Sequence, residues 1–218
     1  MNQPRSTSGF TLLELGIAVS MLGVLLVGAV SIFESTRRVH EATTTDVDLE
    51  SNVQRTLERI ADLLQRSRRS NVLPASPGAQ APFSASQVDF TSVTSFVGGA
   101  AVWGAAQRIE FQYSPTDPDD GLDNDGDGII DDGAVVWTTD LGLPTQRSMI
   151  LCRGVTEFAN GETQDATDQN GNGLIDERGL SFDFQGSSVT VRLTVSRVLN
   201  ASRQSTRSAQ RMITLRNI

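Results

Sequence analysis

Near its start the sequence reads GFTLLE from Gly9 to Glu14 and LGIAVSMLGVLLVGAVSIF from Leu15 to Phe33. The second stretch has no charge over 19 residues. As a helix it is about 28 Å long, enough to cross the hydrocarbon core of a bilayer. A cleaved signal peptide, cut at a small-residue site such as Val27–Ala29, and a plain anchor both fit this stretch. Neither explains Glu14, because a carboxylate at the start of an apolar helix is costly in lipid without a partner.

The order of residues in Gly9–Leu15 resembles the class III signal of type IV pilins and type II secretion pseudopilins. The resemblance implies that prepilin peptidase removes residues 1–9 by cutting after Gly9 on the cytoplasmic side. Phe10 would then become the N-methylated start of the mature chain. Glu14 would pair with the N-terminal amine of a neighbouring subunit during filament assembly, which supplies the partner that a buried carboxylate needs.

One feature departs from the pattern of major pilins, which commonly carry a proline in the middle of this helix. Here no proline occurs between Pro4 and Pro74. Major subunits are also usually smaller than this chain of 218 residues. We therefore expect a low-copy minor subunit, with residues 10–33 as its transmembrane and assembly helix.

The segment that follows, 34–70, is predicted to continue as an amphipathic helical stem. Apolar residues recur there at spacings of four, three and four: Val53, Leu57, Ile60 and Leu64. This spacing places them on one helix face, which we expect to pack on the globular part. A Pro-rich linker over 71–86 then ends the helix.

The remaining residues, 87–218, are predicted to form a β-rich globular domain with long loops at 115–133 and 160–179. The predicted strands are Gln87–Phe96, Arg108–Tyr113, Ala134–Thr139, Ser148–Cys152, Gly154–Ala159, Leu180–Phe184, Ser188–Val198 and Arg211–Arg216. Because no long helix separates them, the sheet should be mainly antiparallel. The predicted fold class is α+β: a long N-terminal helix, membrane-spanning in its first half and amphipathic in its second, packed on this sheet. The strand pattern is similar to PilW-type minor pilins and also to the J-type pseudopilin.

The two long loops contain related acidic segments. Asp120–Asp132 reads DGLDNDGDGIIDD and Asp165–Glu177 reads DATDQNGNGLIDE, and they align without a gap, 45 residues apart. Oxygen atoms at alternate positions around a glycine turn suit Ca²⁺, which takes six to eight hard oxygen ligands. The alternative is a hydrated Asp-Gly turn between strands. We expect two calcium sites, and we expect chelation to lower the melting temperature.

The loops resemble the calcium loops of EF-hands, dockerins and thrombospondin type 3 repeats. The predicted ligands of the first loop are Asp123, Asp125, Asp127, the Ile129 carbonyl and Asp131. Those of the second are Asp168, Asn170, Asn172, the Leu174 carbonyl and Asp176. The twelfth position, a bidentate Glu in EF-hands, is Ala134 or Gly179, so helix-flanked EF-hands are not expected. Candidates to complete the shells are Asp120, Asp132, Asp165 and Glu177. The side chains of Ile130 and Ile175 are predicted to be buried in the core, where they would anchor the loops.

Composition excludes several other classes of function. Acids outnumber bases by 26 to 18, which argues against a nucleic-acid partner. No lysine is present, so a Walker phosphate loop is excluded. The single His and single Cys rule out an intramolecular disulfide or a Cys-based zinc site. Cys152 lies in an apolar run and is predicted to be a buried strand thiol. We expect no enzymatic activity.

These expectations describe a minor type IV pilin that helps to initiate or cap a filament. Its partners would be other minor pilins, the major pilin and a tip adhesin, after processing by prepilin peptidase. It would wait in the inner membrane with its globular domain in the periplasm, then enter the extracellular pilus. The alternatives are a J-type pseudopilin in a periplasmic filament and a membrane-anchored, calcium-dependent adhesive module. The adhesive module would not need Glu14.

Overall fold

The computed structural model describes residues 11–74, 83–200 and 203–215, and for positions 41, 42, 83, 84 and 200 it describes the backbone alone. The chain divides into two compact units, 1–44 and 45–218. One helix, α1, runs from Leu12 to Leu64 and belongs to both. The leader 1–9 and Phe10 lie outside the described residues, as do 75–82 of the predicted linker.

The described part of the first unit contains the apolar part of α1. The helix is long and apolar enough to cross a membrane, and none of its most apolar window is buried. Two hydroxyl groups on this part donate hydrogen bonds back along the helix, from Ser20 Oγ to the Gly16 carbonyl at 2.8 Å and from Ser31 Oγ to the Val27 carbonyl at 3.0 Å. Polar groups that are satisfied within the segment suit a lipid environment. This part of α1 is therefore a candidate membrane anchor.

The second half of α1 packs on the sheet, as predicted from the sequence. The apolar stripe is buried, with Val53, Ile60 and Leu64 fully inaccessible to solvent and Leu57 nearly so. The helix ends at Leu64, six residues before the end of the predicted stem. Tertiary contacts explain why the helix ends here. Ser67 Oγ donates a hydrogen bond to the Thr91 carbonyl at 2.8 Å, and the backbone here also accepts a hydrogen bond from the backbone of a residue farther along the chain. A 3₁₀ turn over Arg69–Asn71 follows.

Within the residues that the structure describes, nine strands form one sheet in the second unit. They are β1 (Val72–Leu73), β2 (Phe83–Ala85), β3 (Gln87–Val97), β4 (Ala100–Tyr113), β5 (Gly133–Thr139), β6 (Arg147–Val155), β7 (Leu180–Gln185), β8 (Ser188–Asn200) and β9 (Arg203–Thr214). Their order is β1-β3-β4-β5-β6-β8-β7-β2, with β9 also paired to β8. The pairings within the described residues are antiparallel. The predicted α+β class, a long helix on an antiparallel sheet, is confirmed.

Strand β8 organises the core. β9 pairs with it along one edge, while the other edge pairs first with β7 and then, at Val195, with Val155 of β6. Its predicted alternation is confirmed, because Val189, Val191, Leu193 and Val195 are fully buried. The Cys152 thiol on β6 is buried as well, as the sequence predicted. This layer and the stripe of α1 form one hydrophobic core.

Several strand boundaries differ from the prediction, and β1 and β2 lie within the predicted linker 71–86. β4 begins at Ala100 instead of Arg108, because Gly98 and Gly99, with φ of 59° and 84°, make a tight turn that extends the β3–β4 hairpin. β9 begins at Arg203 instead of Arg211, since it pairs with β8 throughout. Residues 154–159 are not a separate strand: β6 continues to Val155, and Phe158 forms only an isolated bridge to Arg178.

Candidate functional site

The start of α1 carries a capping arrangement that involves the predicted assembly residue. The Glu14 carboxylate accepts hydrogen bonds from the Thr11 backbone N–H and hydroxyl group, both at 3.0 Å. The Glu14 N–H donates to Thr11 Oγ1 at 3.2 Å. This reciprocal pair is a capping box, which satisfies free N–H groups at a helix start. In the single chain, Glu14 therefore has a local role, while the predicted processing residues Gly9 and Phe10 lie outside the described residues.

The first acidic loop gathers three of the predicted ligands. Asp123, Asp125 and Asp127 offer carboxylate oxygens that all lie within 4.8 Å of one another, and the three residues are solvent-exposed. Asp123 is held by the Gly126 and Gly128 N–H groups, which donate to its two oxygens at 2.7 and 2.9 Å. Asp125 and Asp127 each accept from the N–H group two residues later, at 3.1 and 2.8 Å. Such Asx turns fix the side chains on the loop.

Gly128 explains how closely this loop approaches the sheet. Its φ of 90° is a left-handed conformation that favours glycine. A Cβ atom at this position would lie 2.8 Å from Cγ2 of Val198 on β8. The glycine turn therefore lets the acidic cluster sit directly against the end of β8.

Two buried carboxylates join the three exposed ones. Asp117, which is fully buried, accepts hydrogen bonds from the Asn124 and Asp132 N–H groups at 2.8 and 2.9 Å. Burial, together with the negative charges of four other carboxylates in the loop, raises the pKa of Asp132 to about 6; these are Asp127, Asp125, Asp117 and Asp123. Burial likewise raises the pKa of Asp127. The loop thus concentrates repelling negative charge that a cation would neutralise.

Asp117 was missed by the sequence reasoning, which began its aligned window at Asp120. Extending the ungapped alignment three residues upstream pairs Asp117 with Glu162, both of them carboxylates. That pairing is the signal from which the two residues could have been found.

Two of the predicted ligands of this loop are placed elsewhere. The Asp131 carboxylate accepts hydrogen bonds from the Asp120 and Gly121 N–H groups at 2.9–3.1 Å and so closes the base of the loop. Asp120 accepts from the Leu122 N–H group and the Asn124 side-chain amide, at 3.0 and 2.9 Å. Among the described residues, the metal-compatible acidic group comprises only the three exposed aspartates.

The prediction that Ile130 and Ile175 plug the loops into the core is wrong. These residues are 55% and 58% exposed. The residues one position earlier, Ile129 and Leu174, are the buried ones. The chain enters the left-handed region directly after each isoleucine, with φ of 51° at Asp131 and at the equivalent Asp176, and this reversal leaves the isoleucines on the solvent side.

The second loop repeats the local structure of the first. Asp168 accepts from the Gly171 and Gly173 N–H groups at 2.6 and 2.7 Å. The Oδ1 atoms of Asn170 and Asn172 accept from the N–H group two residues later, at 3.1 and 2.9 Å. Asp176 accepts from the backbone of 165 and 166, and Asp165 accepts from the Thr167 N–H group at 2.9 Å. The 45-residue sequence repeat is therefore a repeat in conformation.

Two buried glutamates distinguish the second loop. Glu177, 2% exposed, accepts from Arg192 Nη1 at 2.9 Å and from the side-chain amides of Asn170, at 3.3 Å, and Asn172. Glu162, 6% exposed, accepts from the Asn170 N–H group at 2.9 Å. Arg192 on β8 also pairs with Asp183 of β7, so Glu177 ties the loop to the sheet.

Comparison with known proteins does not assign a family. No family model, no curated protein and no solved structure matches the chain. A function must therefore be inferred from the helix start and from the two loops.

Proposed function

We propose that the chain is a minor pilin of a type IV pilus, a structural subunit that helps to initiate or cap filament assembly and has a calcium-stabilised globular domain. The observation that carries the proposal is helix α1. It begins with an exposed apolar stretch that has one acidic residue, Glu14, in its first turn, and it continues without a break to Leu64, where it is part of the domain core.

This continuity is what a filament subunit needs. An exposed apolar helix can anchor a precursor in the inner membrane, and it can pack with the same segment of neighbouring subunits once it leaves the lipid. The same helix also carries the buried stripe from Val53 to Leu64, so one element contributes both to the anchor and to the core of the domain.

Glu14 is proposed to change partner during assembly. In the single chain its carboxylate bonds to Thr11. In a filament, the methylated amine of Phe10 from a neighbouring subunit would take its place. An ion pair removed from water is favourable only with good partners, and a missing partner is strongly destabilising. Glu14 would therefore favour only those subunit arrangements that place the amine of a neighbouring subunit beside it.

Calcium is proposed to bind both loops. In the first loop the ligands would be Asp117, Asp123, Asp125, Asp127 and Asp132. Without a cation, burial and the neighbouring carboxylates raise the pKa of Asp127 and of Asp132. A hard divalent ion accepts such oxygens and offsets their repulsion. The globular domain would meet calcium outside the cytoplasm, in the periplasm and then in the extracellular filament.

The proposed partners are prepilin peptidase, other minor pilins, the major pilin and a tip adhesin. No catalytic role is proposed. A J-type pseudopilin would use the same helix and loops in a periplasmic filament, so the location of the processed chain separates the two functions.

The test begins with mass spectrometry of sheared surface filaments from the native host. We expect a peptide that begins at N-methylated Phe10. The same processed peptide found only in the membrane fraction would favour a secretion pseudopilin, and an uncleaved Gly9–Phe10 bond would overturn the proposal.

Variants of Glu14 separate assembly from helix capping. Glu14→Gln keeps a side chain that can complete the capping box but removes the charge, whereas Thr11→Ala removes the cap and keeps the charge. We expect Glu14→Gln to be processed and yet absent from filaments, and Thr11→Ala to be incorporated. Normal incorporation of Glu14→Gln would show that Glu14 only caps the helix.

A further inference from the structure

We infer that Glu162 is a ligand of a divalent cation in the second loop, together with Glu177, Asp168 and the amide oxygens of Asn170 and Asn172. This inference rests on the calcium component of the proposed function. It adds a ligand upstream of the aligned acidic segment, and it assigns the two loops different affinities.

The first observation is an unpartnered buried oxygen. Glu162 is 6% exposed, and its Oε1 atom accepts from the Asn170 N–H group at 2.9 Å. Its Oε2 atom is buried and has no hydrogen-bond partner within the described part of the chain. A buried carboxylate oxygen without a partner is unfavourable unless the group is neutralised or coordinates a metal. A cation beside Oε2 removes that cost.

The second observation is the position of Glu162 relative to the first loop. Glu162 follows Asp117 by the same 45 residues that separate the acidic segments. Each carboxylate accepts an N–H group from the turn of its own loop, Asn124 for Asp117 and Asn170 for Glu162. Asp117 acts electrostatically on Asp127 and Asp132. Glu162 therefore occupies the equivalent buried corner of the second loop.

The third observation is that Asn170 lies between the two buried glutamates. Its backbone N–H group donates to Glu162, and its side-chain amide donates to Glu177. The Asn172 amide also donates to Glu177. The Oδ1 atoms of Asn170 and Asn172 each accept one backbone N–H group and keep a second lone pair for a cation. A cation at this position would replace the two amide N–H groups as the partner of Glu177. Arg192 would keep its bond to the other oxygen of Glu177.

Charge sets the order of affinity. The first loop offers five carboxylates, Asp132 and the four that act on it. The second offers three, from Glu162, Asp168 and Glu177, because asparagines replace two aspartates. Since the number of charged ligands tunes calcium affinity, the second loop should bind calcium more weakly than the first.

The experiment is calorimetric titration of calcium into the full-length, metal-stripped protein in detergent. We expect the wild type to show a tight and a weaker binding event, and Glu162→Gln to weaken only the weaker event, by at least about tenfold. The matched control is Asp140→Asn, which removes one negative charge outside both loops at a position whose φ of 53° asparagine tolerates. It should leave both events within about threefold of wild type.

Thermal unfolding of the metal-free proteins supplies a second measurement. Glu162→Gln retains an oxygen for the Asn170 N–H group and removes the buried charge, so it should melt at or above the wild-type temperature without calcium and below it with calcium. A variant that melts lower without calcium, or that binds as wild type does, would overturn the inference. So would equal weakening by Asp140→Asn. If the wild type shows the tight event alone, the inference fails and calcium binding by the first loop stands; if it shows neither, the calcium proposal fails too.

Discussion

Calcium should reverse the direction in which the stability of this protein depends on pH. Without metal, burial and neighbouring charges raise the pKa of Asp132 from 3.8 to about 6. The folded state then binds this proton more tightly than the unfolded state. The resulting stabilisation is complete below about pH 4 and is lost as the pH rises towards 6. With calcium bound, the same carboxylates are held deprotonated, so their stabilisation is present at neutral pH and lost on acidification.

The magnitude follows from the size of the shift. About two pKa units correspond to a ceiling of about 3 kcal/mol. The exposed aspartates beside Asp132 admit water and salt, which screen the repulsion, and we expect roughly 1 kcal/mol between pH 4.5 and 7. In a chain of this size, 1 kcal/mol shifts the melting temperature by about 2–4 °C. Calcium at a hundred times its dissociation constant should add about 2.7 kcal/mol at pH 7.

The assay is thermal unfolding of metal-stripped and calcium-loaded protein across this pH range. Asp132→Asn should flatten the dependence of the melting temperature on pH in the metal-free protein. Asp140→Asn should not. Asp140 lies outside both loops, and asparagine tolerates its φ of 53°. Magnesium serves as a control for ionic strength. Identical profiles with and without calcium would refute the assignment of the first loop as a cation site.

Two further predictions concern the core and the loop turn. Leu57→Ala should lower the free energy of unfolding by about 3 kcal/mol in urea titrations, because it leaves a cavity between α1 and the sheet. Glu58→Ala, on the exposed face of the helix, should change it by less than about 0.5 kcal/mol. Equal effects of the two substitutions would contradict the packing of α1 on the sheet. Gly128→Ala should lower both the melting temperature and calcium affinity, because its Cβ atom meets Val198. Gly126→Ala shares the left-handed strain but meets nothing within 4 Å, so it should be the milder change, and the reverse order would count against the close approach of this loop to β8.

The long elements of the fold could be predicted because their patterns are periodic. The stripe from Val53 to Leu64 and the alternation of β8 each report burial on one face. The end of α1 was placed too late, since it depends on the hydrogen bond between Ser67 and Thr91, residues far apart in sequence. The start of β4 was also missed, because its small residues from Ala100 onward carry little hydrophobic pattern.

In the loops, too, the sequence predicts what depends on neighbouring residues and does not predict what depends on the folded structure. Asp123, Asp125 and Asp127 were found from their spacing, which the glycine turn enforces. Asp117 and Glu162 were missed, because folding brings them to the turn from outside the motif. Which of two adjacent apolar residues points inward was also beyond the pattern, since it depends on the left-handed backbone at the residue that follows.

The single thiol of the chain makes it possible to time the separation of helix and sheet without engineering. Cys152 is 7% exposed, and the Thr56 hydroxyl on α1 donates to the carbonyl of the preceding residue, Leu151, at 3.4 Å. The Thr56 hydroxyl also hydrogen-bonds to the thiol, so separation of this part of α1 from β6 should raise the rate at which a thiol-reactive dye reaches the sulfur. The labelling rate would therefore report how often the helix opens from the sheet.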